Sequence, residues 1–535
     1  MDDFPRTEVE HIGHLGLIAA IFDNFCITEK IDALLPKISN NQKINHAEAI
    51  KSMIYLGLGF SKKRLYSAST FFNNTPTEEL IGLGVSPENI NYDVLGRALD
   101  AIHSYGSQRF FTDISLTTLL ENNLMSKFIR MDSTTHSFFG RKYEKNKDLT
   151  VCFGHSKGRQ DLPQLVQLLM TTENGLPFWS ETFTGSESDR EIFQSSIASV
   201  QKYFKDLKSG INATIIADSA LYSKRFLLNK QISGHWITRV PESIQKARKL
   251  VEADDTGTWF EMDDGIKFKE EFVKYGGKSQ RWIVVAHRPS KYKEIATLEK
   301  KLKKEEENIE KKVKKLNSRT FKTMEAVRLE FARLKRQHPL FKFRNSPIGV
   351  YKRKRGKKNP VQVGIKCFVT FDDNKTKQKK LRNKKGRFIV ATNNFDPMLT
   401  APEIINLYRG QTSQMESCFK FLKDSTFRLN KVFLKKIERI DALMSVMALS
   451  LFINNLGQMV LREELLMKEE TVPNQLGNPT DSPTLKWAFQ LMERVVKVRV
   501  KIGNKVLDYF HGIEMAQKTI ISCFGEKALK IYGFP

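Results

Sequence analysis

Cysteine is scarce in this chain of 535 residues. The five present, Cys26, Cys152, Cys367, Cys418 and Cys523, are scattered and never form a CxxC pair. That spacing argues against a zinc ribbon and a disulfide framework and suits a reducing compartment. A secretory leader is not expected either: the first residues are acidic, and the apolar stretch from His14 to Phe22 is short and badly flanked. Long apolar runs are nearly absent. The one charge-free stretch, Ala442 to Leu461, holds Ser445, Ser450, Asn454, Asn455 and Gln458 and reads as a buried core helix rather than a membrane span. Acid is the remaining shortage. The chain has 60 Asp+Glu against 87 Lys+Arg, a net charge of +27. Residues 281–390 alone hold 35 basic and 10 acidic residues, a net of +25. A field so concentrated attracts polyanions, and nucleic acid is the commonest of them inside a cell.

Its length predicts two to four domains. Residues 1–120 read as a small, mostly helical module, with apolar positions at three-to-four spacing from His46 and again from Asp93. From there the period changes. Strands are expected over Ser126–Met131, Leu149–Gly154, Gln164–Thr171, Leu176–Thr184 and Ala213–Ala217, with helices over Glu191–Leu207 and Tyr222–Lys230. This is the first part of an α/β domain, 121–231. A basic, strand-rich insertion, 232–386, interrupts it and contains one long charged helical stretch from Glu294 to Arg336. The α/β domain resumes over 387–462 with the strand Arg387–Thr392 and a helix opened by Thr400 as N-cap and Pro402 in the first turn. A C-terminal helical region, 463–535, includes a helical and basic stretch over Leu485–Lys501.

Three acids stand where metal-dependent phosphodiester chemistry needs them. Asp132 ends the run Phe128-Ile129-Arg130-Met131, and Asp218 ends Ala213-Thr214-Ile215-Ile216-Ala217. A carboxylate at the carboxyl end of a strand projects into the crevice where open α/β sheets bind ligands. The third acid, Glu416, lies in the helix from Ala401. Ile405, Tyr408, Thr412, Met415, Phe419 and Leu422 form its buried stripe, while Arg409, Glu416 and Lys423, seven apart, share a second face. Three such carboxylates can hold two divalent ions about 4 Å apart, with neighbouring cations pairing with phosphate. Lys352, Arg353, Lys354, Arg355, Lys357 and Lys358 put six basic residues in seven, a run that neutralises phosphates. Trp259 and Trp282 could stack on an extruded base, although a core role fits each better.

Four segments together carry a resemblance to a family: Asp132-Ser133-Thr134-Thr135-His136, Gly154 to Gln164, Ala217 to Ser223, and Glu416 with Lys423 seven residues later. In this order, with the insertion between the last two, the chain resembles the cut-and-paste DDE transposases of the bacterial insertion-sequence IS-four group. The resemblance implies an α/β, ribonuclease-H-like mixed sheet with helices on both faces. In that reading the sheet is interrupted by a β-rich insertion and joined to a helical N-terminal domain with a possible role in binding DNA ends. It implies Asp132, Asp218 and Glu416 as the metal triad, binding two Mg2+ with Mn2+ able to substitute. Lys423 would bind phosphate, with Lys420, Arg409 and Tyr408 as further DNA contacts and His136, His155 and Tyr222 as neighbours of the active site. The implied partners are double-stranded DNA, both transposon inverted-repeat ends and target, and a second copy of the chain on that DNA, with no membrane. The implied setting is the bacterial cytoplasm, at the nucleoid. The chain departs from the family pattern in two places: Arg409 and Thr412 stand where a Tyr and an Arg are usual before the Glu, and Ala220 where a Gly is usual after the second Asp.

Other readings use the same residues. A phosphatase with an aspartyl nucleophile needs a second Asp two residues after the first, where this chain has Thr134. A non-catalytic nucleic-acid-binding protein would keep the basic run without needing an intact triad. A ribonuclease-H-like nuclease would share all three acids, and only its substrate would differ.

Overall fold

The computed structural model describes every residue except 1–5, 38–42, 60–64, 140–142, 144–145, 147, 155–160, 208–210, 230–231, 255–256, 425–433 and 503–504. The chain forms two compact units, the first from Met1–Trp236 with Tyr408–Pro535, the second from Ile237–Leu407.

The first unit opens with strand β1 (Arg6–His11), which a helical reading of residues 1–120 does not anticipate. Helices α1 (His46–Leu58), α2 (Tyr92–Tyr105) and α3 (Ser107–Glu121) follow. Asn45 and Asn91 cap the first two by accepting from the backbone N–H of Glu48 and Val94. Then come β2 (Phe128–Ser137), β3 (Gln164–Thr172), β4 (Pro177–Thr184), helix α4 (Asp189–Asp206) and β5 (Thr214–Ala217). Their order is β4-β3-β2-β5. β2 runs antiparallel to β3 and parallel to β5, so this is a mixed sheet. Every residue of β3 and β5 is buried, as interior strands covered on both faces require. The strand expected over Leu149–Gly154 reduces to a single bridge, Cys152 with Gln164. Backbones crowd there: a Cβ on Gly154 would fall 1.8 Å from the Gly185 carbonyl oxygen, leaving no room for a regular ladder.

In the second unit β6 (Trp236–Arg239), β7 (Phe260–Met262), β8 (Ile266–Tyr275) and β9 (Lys278–His287) lead into helix α5 (Arg288–Ser318). The single charged helix expected up to Arg336 is two helices. A short strand, β10 (Thr320–Phe321), breaks it, and Thr323 caps α6 (Met324–Gln337) by accepting from the Ala326 N–H. Two long strands, β11 (Phe341–Lys352) and β12 (Val361–Asp373), then form a hairpin. Leu298, Leu302, Ile309 and Val313 of α5, Val327 and Leu334 of α6, and Phe341, Phe343, Ile365, Cys367 and Val369 of the hairpin make one core. Strand β13 (Arg387–Thr392) lies between β6 and β9. Trp282 is wholly buried and donates its indole N–H to Gln280 at 2.9 Å, so it is a core residue.

The chain re-enters the first unit within helix α7 (Ala401–Leu422), followed by α8 (Ile437–Met467), α9 (Leu485–Leu491), β14 (Val496–Ile502) and β15 (Lys505–His511). The basic helix expected as far as Lys501 therefore stops at Leu491. The β-branched alternation Val496, Val498, Val500 is a strand pattern, and β14 pairs with both β1 and β15. The buried helix α8 is the element on which α1, α2 and α3 pack. Arg439 grips Asp100 through two bonds of 2.7 Å, and Ser445 donates to the Ser107 carbonyl at 2.8 Å. The boundary expected near residue 120 thus does not coincide with a break in packing. Among the described residues α8 is the one helix long and apolar enough to cross a membrane, and most of that stretch is enclosed by the protein. Phe452 is wholly buried in it. Phe452→Ala is expected to cost about 4 kcal/mol, measured as a lower denaturant midpoint with an unchanged transition slope.

Candidate nuclease site

The parallel register of β2 with β5 aligns Ile129 with Ile215, Arg130 with Ile216 and Met131 with Ala217. The next residue on each strand is an aspartate, Asp132 and Asp218. Paired strands lie about 4.8 Å apart and aligned residues point to the same face, so the two acids are lateral neighbours. Both are half-buried. The Ser133 N–H donates to Asp132 Oδ1 at 2.8 Å, and the Ala220 N–H donates to Asp218 Oδ1 at 2.8 Å as the chain turns out of β5. These backbone donors favour the ionised carboxylates.

Helix α7 lies over the face of β2 that carries Arg130. Gln411 is buried and donates to the Met131 carbonyl at 2.8 Å, one residue before Asp132. Thr171 of β3 donates to Met415 Sδ at 3.7 Å, and Cys418 reaches the Gly175 carbonyl at 3.9 Å. Gln411, Met415, Cys418 and Leu422 therefore form the sheet-facing stripe. Thr412, expected in that stripe, is exposed, and Glu416 lies beside it with its side chain exposed. Among the described residues no three His, Cys, Asp or Glu side chains converge tightly enough to hold an ion. Asp132 and Asp218 are brought together, and Glu416 is carried by the helix laid across Met131 without closing a three-acid cage with them.

Lys423, just beyond α7, is exposed as a residue, yet its ammonium is crowded enough that desolvation lowers its pKa, while the Asp132 charge works to raise it. His136, two strand steps beyond Asp132 on the same face, is buried and bonded to Gln167 at 2.8 Å. Burial drives its imidazole down to about 4, and the Lys423 charge pushes the same way. A neutral His136 thus underlies a cation that faces Asp132.

The other expected residues divide. Arg409 and Lys420 are exposed on α7, and Tyr408 is half-buried. Tyr222 is buried, its ring meeting Trp236 edge-on at 5.9 Å, which makes it a packing residue. His155 lies outside the described residues. Lys352 ends β11, and Arg353, Lys354, Arg355, Lys357 and Lys358 occupy the hairpin turn, all exposed. Trp259 has Arg387 and Lys269 over its ring, at 5.3 and 5.7 Å. Sequence reasoning passes over Arg130 and Gln411. An Arg in an apolar strand and a Gln on the sheet-facing stripe of a helix are the available signals.

A protein-family model described as "Transposase DDE domain" matches residues 125–453, and one described as "Domain of unknown function (DUF4277)" matches residues 7–116. A search of curated proteins finds no match. Among solved structures the chain is similar to one described as "Cryo-EM structure of piggyBac transposase synaptic complex with hairpin DNA (SNHP)". Identity is 8%, the TM-score is 0.37, and 91% of this chain and 82% of that one are covered.

With a folded-state pKa of about 4 against the ordinary 6.5, His136 binds fewer protons in the folded than in the unfolded chain between those values. Stability is then present above pH 6.5, falls as pH drops through that window, and levels off below it. The difference amounts to about 3 kcal/mol. His136→Gln is expected to remove this part of the acid-side loss, read from urea unfolding at pH 7.5, 6, 5 and 4.

Proposed function

Because the chain belongs to the transposase DDE domain family, whose model spans more than half of it, we propose that this DNA transposase works through Asp132, Asp218 and Glu416. The observation that carries this reading is the β2–β5 register, which makes Asp132, midway along β2 rather than at the strand end expected from the sequence, a neighbour of Asp218 just past β5, under the helix bearing the third acid. Two half-buried carboxylates with backbone donors and a nearby ammonium suit a divalent cation such as Mg2+, with Mn2+ as a substitute. Bound there as a pair, such ions would supply charge stabilisation for both the attacking and the leaving oxygen.

The chain's own residues do the rest. Asp132 and Asp218 would hold such a cation, which would supply positive charge to the scissile phosphate. Lys423, held near Asp132, pairs with a phosphate oxygen, and Arg409 and Lys420 extend that cationic face along α7. Buried, neutral His136 keeps a second positive charge out of the site, so Lys423 remains directed to Asp132 and the phosphate. The reaction is hydrolysis of the phosphodiester at each transposon end, followed by attack of the freed 3′ hydroxyl on target DNA. We assign the finer identity to the IS-four type, with a ribonuclease-H-like core, inverted-repeat DNA ends as substrate and a homodimer assembled on them in a bacterial cytoplasm. The exposed run Lys352–Lys358 contacts flanking phosphates.

Two outcomes test this. Asp132→Asn, Asp218→Asn and Glu416→Gln are each expected to lower Mg2+-dependent cleavage on the order of 10³-fold, assayed on DNA carrying the sequences that flank the coding region, with binding retained. Binding without cleavage by the native chain would favour a nucleic-acid-binding protein instead. Replacing the six cations of Lys352–Lys358 by Gln is expected to flatten the dependence of log K on log salt by about 0.9 for each phosphate those cations neutralise, measured by fluorescence anisotropy. An unchanged slope would remove the hairpin turn from the DNA interface.

A further inference from the structure

Arg130 is buried, with 4% of its surface exposed, in the strand that carries Asp132, and among the described residues no carboxylate is a hydrogen-bond partner of it. Its Nη1 donates to the Glu173 carbonyl, in the turn between β3 and β4, and to Gln414 Oε1 on α7. Its Nε–H has no partner among the described residues. Over the guanidinium lies Gly410: a Cβ there would sit 2.7 Å from Arg130 Nη2 and 3.4 Å from Cζ. Helix α7 therefore approaches β2 with bare backbone at the point where the strand raises its longest side chain. The next helical residue, Gln411, bonds the carbonyl of the next strand residue, Met131, and its own Oε1 is left unpaired among the described residues. Two buried side chains at one seam thus each keep an unmet hydrogen-bonding group, a cost that packing alone does not explain.

The seam is in register with the chemistry. Arg130 precedes Asp132 by two residues on the same strand face, and Gly410 precedes Glu416 by six, about 9 Å along the helix. Sliding α7 by one residue would move it about 1.5 Å and turn it about 100°, shifting where Glu416 stands relative to β2 and its Asp132. A guanidinium wedged under a glycine fixes the height of the helix, and its bond to Gln414 with the Gln411–Met131 bond fixes its rotation. We propose that Arg130 and Gly410 form a positioning pair that sets where α7 presents Glu416 to Asp132 and Asp218. This rests on the reading of Glu416 as the third acid.

The test uses the full chain as Gly410→Ala, Arg130→Lys and the double variant, with Glu416→Gln as control. Three quantities are read: DNA affinity in EDTA, cleavage rate at saturating DNA, and the Mg2+ concentration giving half-maximal cleavage. Terbium luminescence of the protein without DNA reports metal binding apart from activity. Gly410→Ala is expected to slow cleavage by about tenfold to a hundredfold, to raise the Mg2+ requirement and to weaken terbium binding, with DNA affinity unchanged. In the double variant the slimmer ammonium end of a lysine makes room for the methyl group, so cleavage recovers above the Gly410→Ala level. Wild-type cleavage and Mg2+ requirement in Gly410→Ala, or losses in the double variant equal to the product of the single losses, would overturn the proposal. If Gly410→Ala does not fold, Arg130→Lys decides alone: an unchanged Mg2+ requirement at an unchanged melting temperature would equally overturn it. Cleavage retained by Glu416→Gln would instead refute the role of Glu416; cleavage lost there but intact in Gly410→Ala would refute only the positioning.

Discussion

Two like charges held one strand spacing apart are the constraint on which the rest of this structure depends. Nothing in the pairing of β2 with β5 relieves the repulsion between Asp132 and Asp218. The pairing imposes it, because Ile129, Met131, Ile215, Ile216 and Ala217 are all buried, and a slip of one residue would move each to the opposite face, against the wrong packing partners. The sheet is fixed by hydrophobic burial, and the electrostatic cost at its edge follows. Such a cost is tolerable where a cation is to be shared. Much of the surrounding arrangement offsets it: backbone donors at Ser133 and Ala220, and Lys423 near enough to favour the Asp132 charge.

The same division between burial and charge runs through the molecule. In the first unit long apolar elements, α8 above all, organise the helices around the sheet, and ion pairs such as Arg439 with Asp100 fix orientations at its margin. In the second unit the core between α5, α6 and the β11–β12 hairpin is modest, and its periphery is densely basic. Even the buried His338 there serves the frame, bridging Glu305 at 3.0 Å and Lys312 at 3.1 Å. The hairpin turn, by contrast, presents its cations with no acidic residue between Asn345 and Phe371 to neutralise them. Fixed charge of one sign on an exposed turn adds nothing to folding and suits a polyanionic partner.

What is legible in the sequence follows from which signals are local. β3, β4, β5, β13 and α4 fall within a residue or two of expectation, because each is an apolar run or a three-to-four stripe closed by turn residues. Two apolar runs each followed by an acid suggest adjacent strands, and β2 does pair with β5, although β2 continues five residues beyond Asp132 because Ser133 to Ser137 pair with β3. Non-local features are invisible. Strand β1 exists because β14 pairs with it, nearly five hundred residues later, and β14 itself reads as helix because lysine and arginine between valines satisfy either period. The β11–β12 hairpin is hidden by its charge: Lys342, Arg344 and Lys352 line its outward positions, and only the packing of Phe341 and Phe343 against α5 and α6 makes it a strand. Arg130 escapes notice for a related reason. A buried arginine is meaningful only once the glycine above it is known.

The central claim is that Asp132 and Asp218 share a divalent cation. Anomalous diffraction from crystals of the chain on a DNA end, soaked in Mn2+, tests it most directly. An anomalous peak within about 2–2.5 Å of a carboxylate oxygen of both residues, absent in the Asp218→Asn protein, is the expected result. Manganese bound elsewhere, with no density between these two aspartates in a complex that cleaves its DNA, would contradict it.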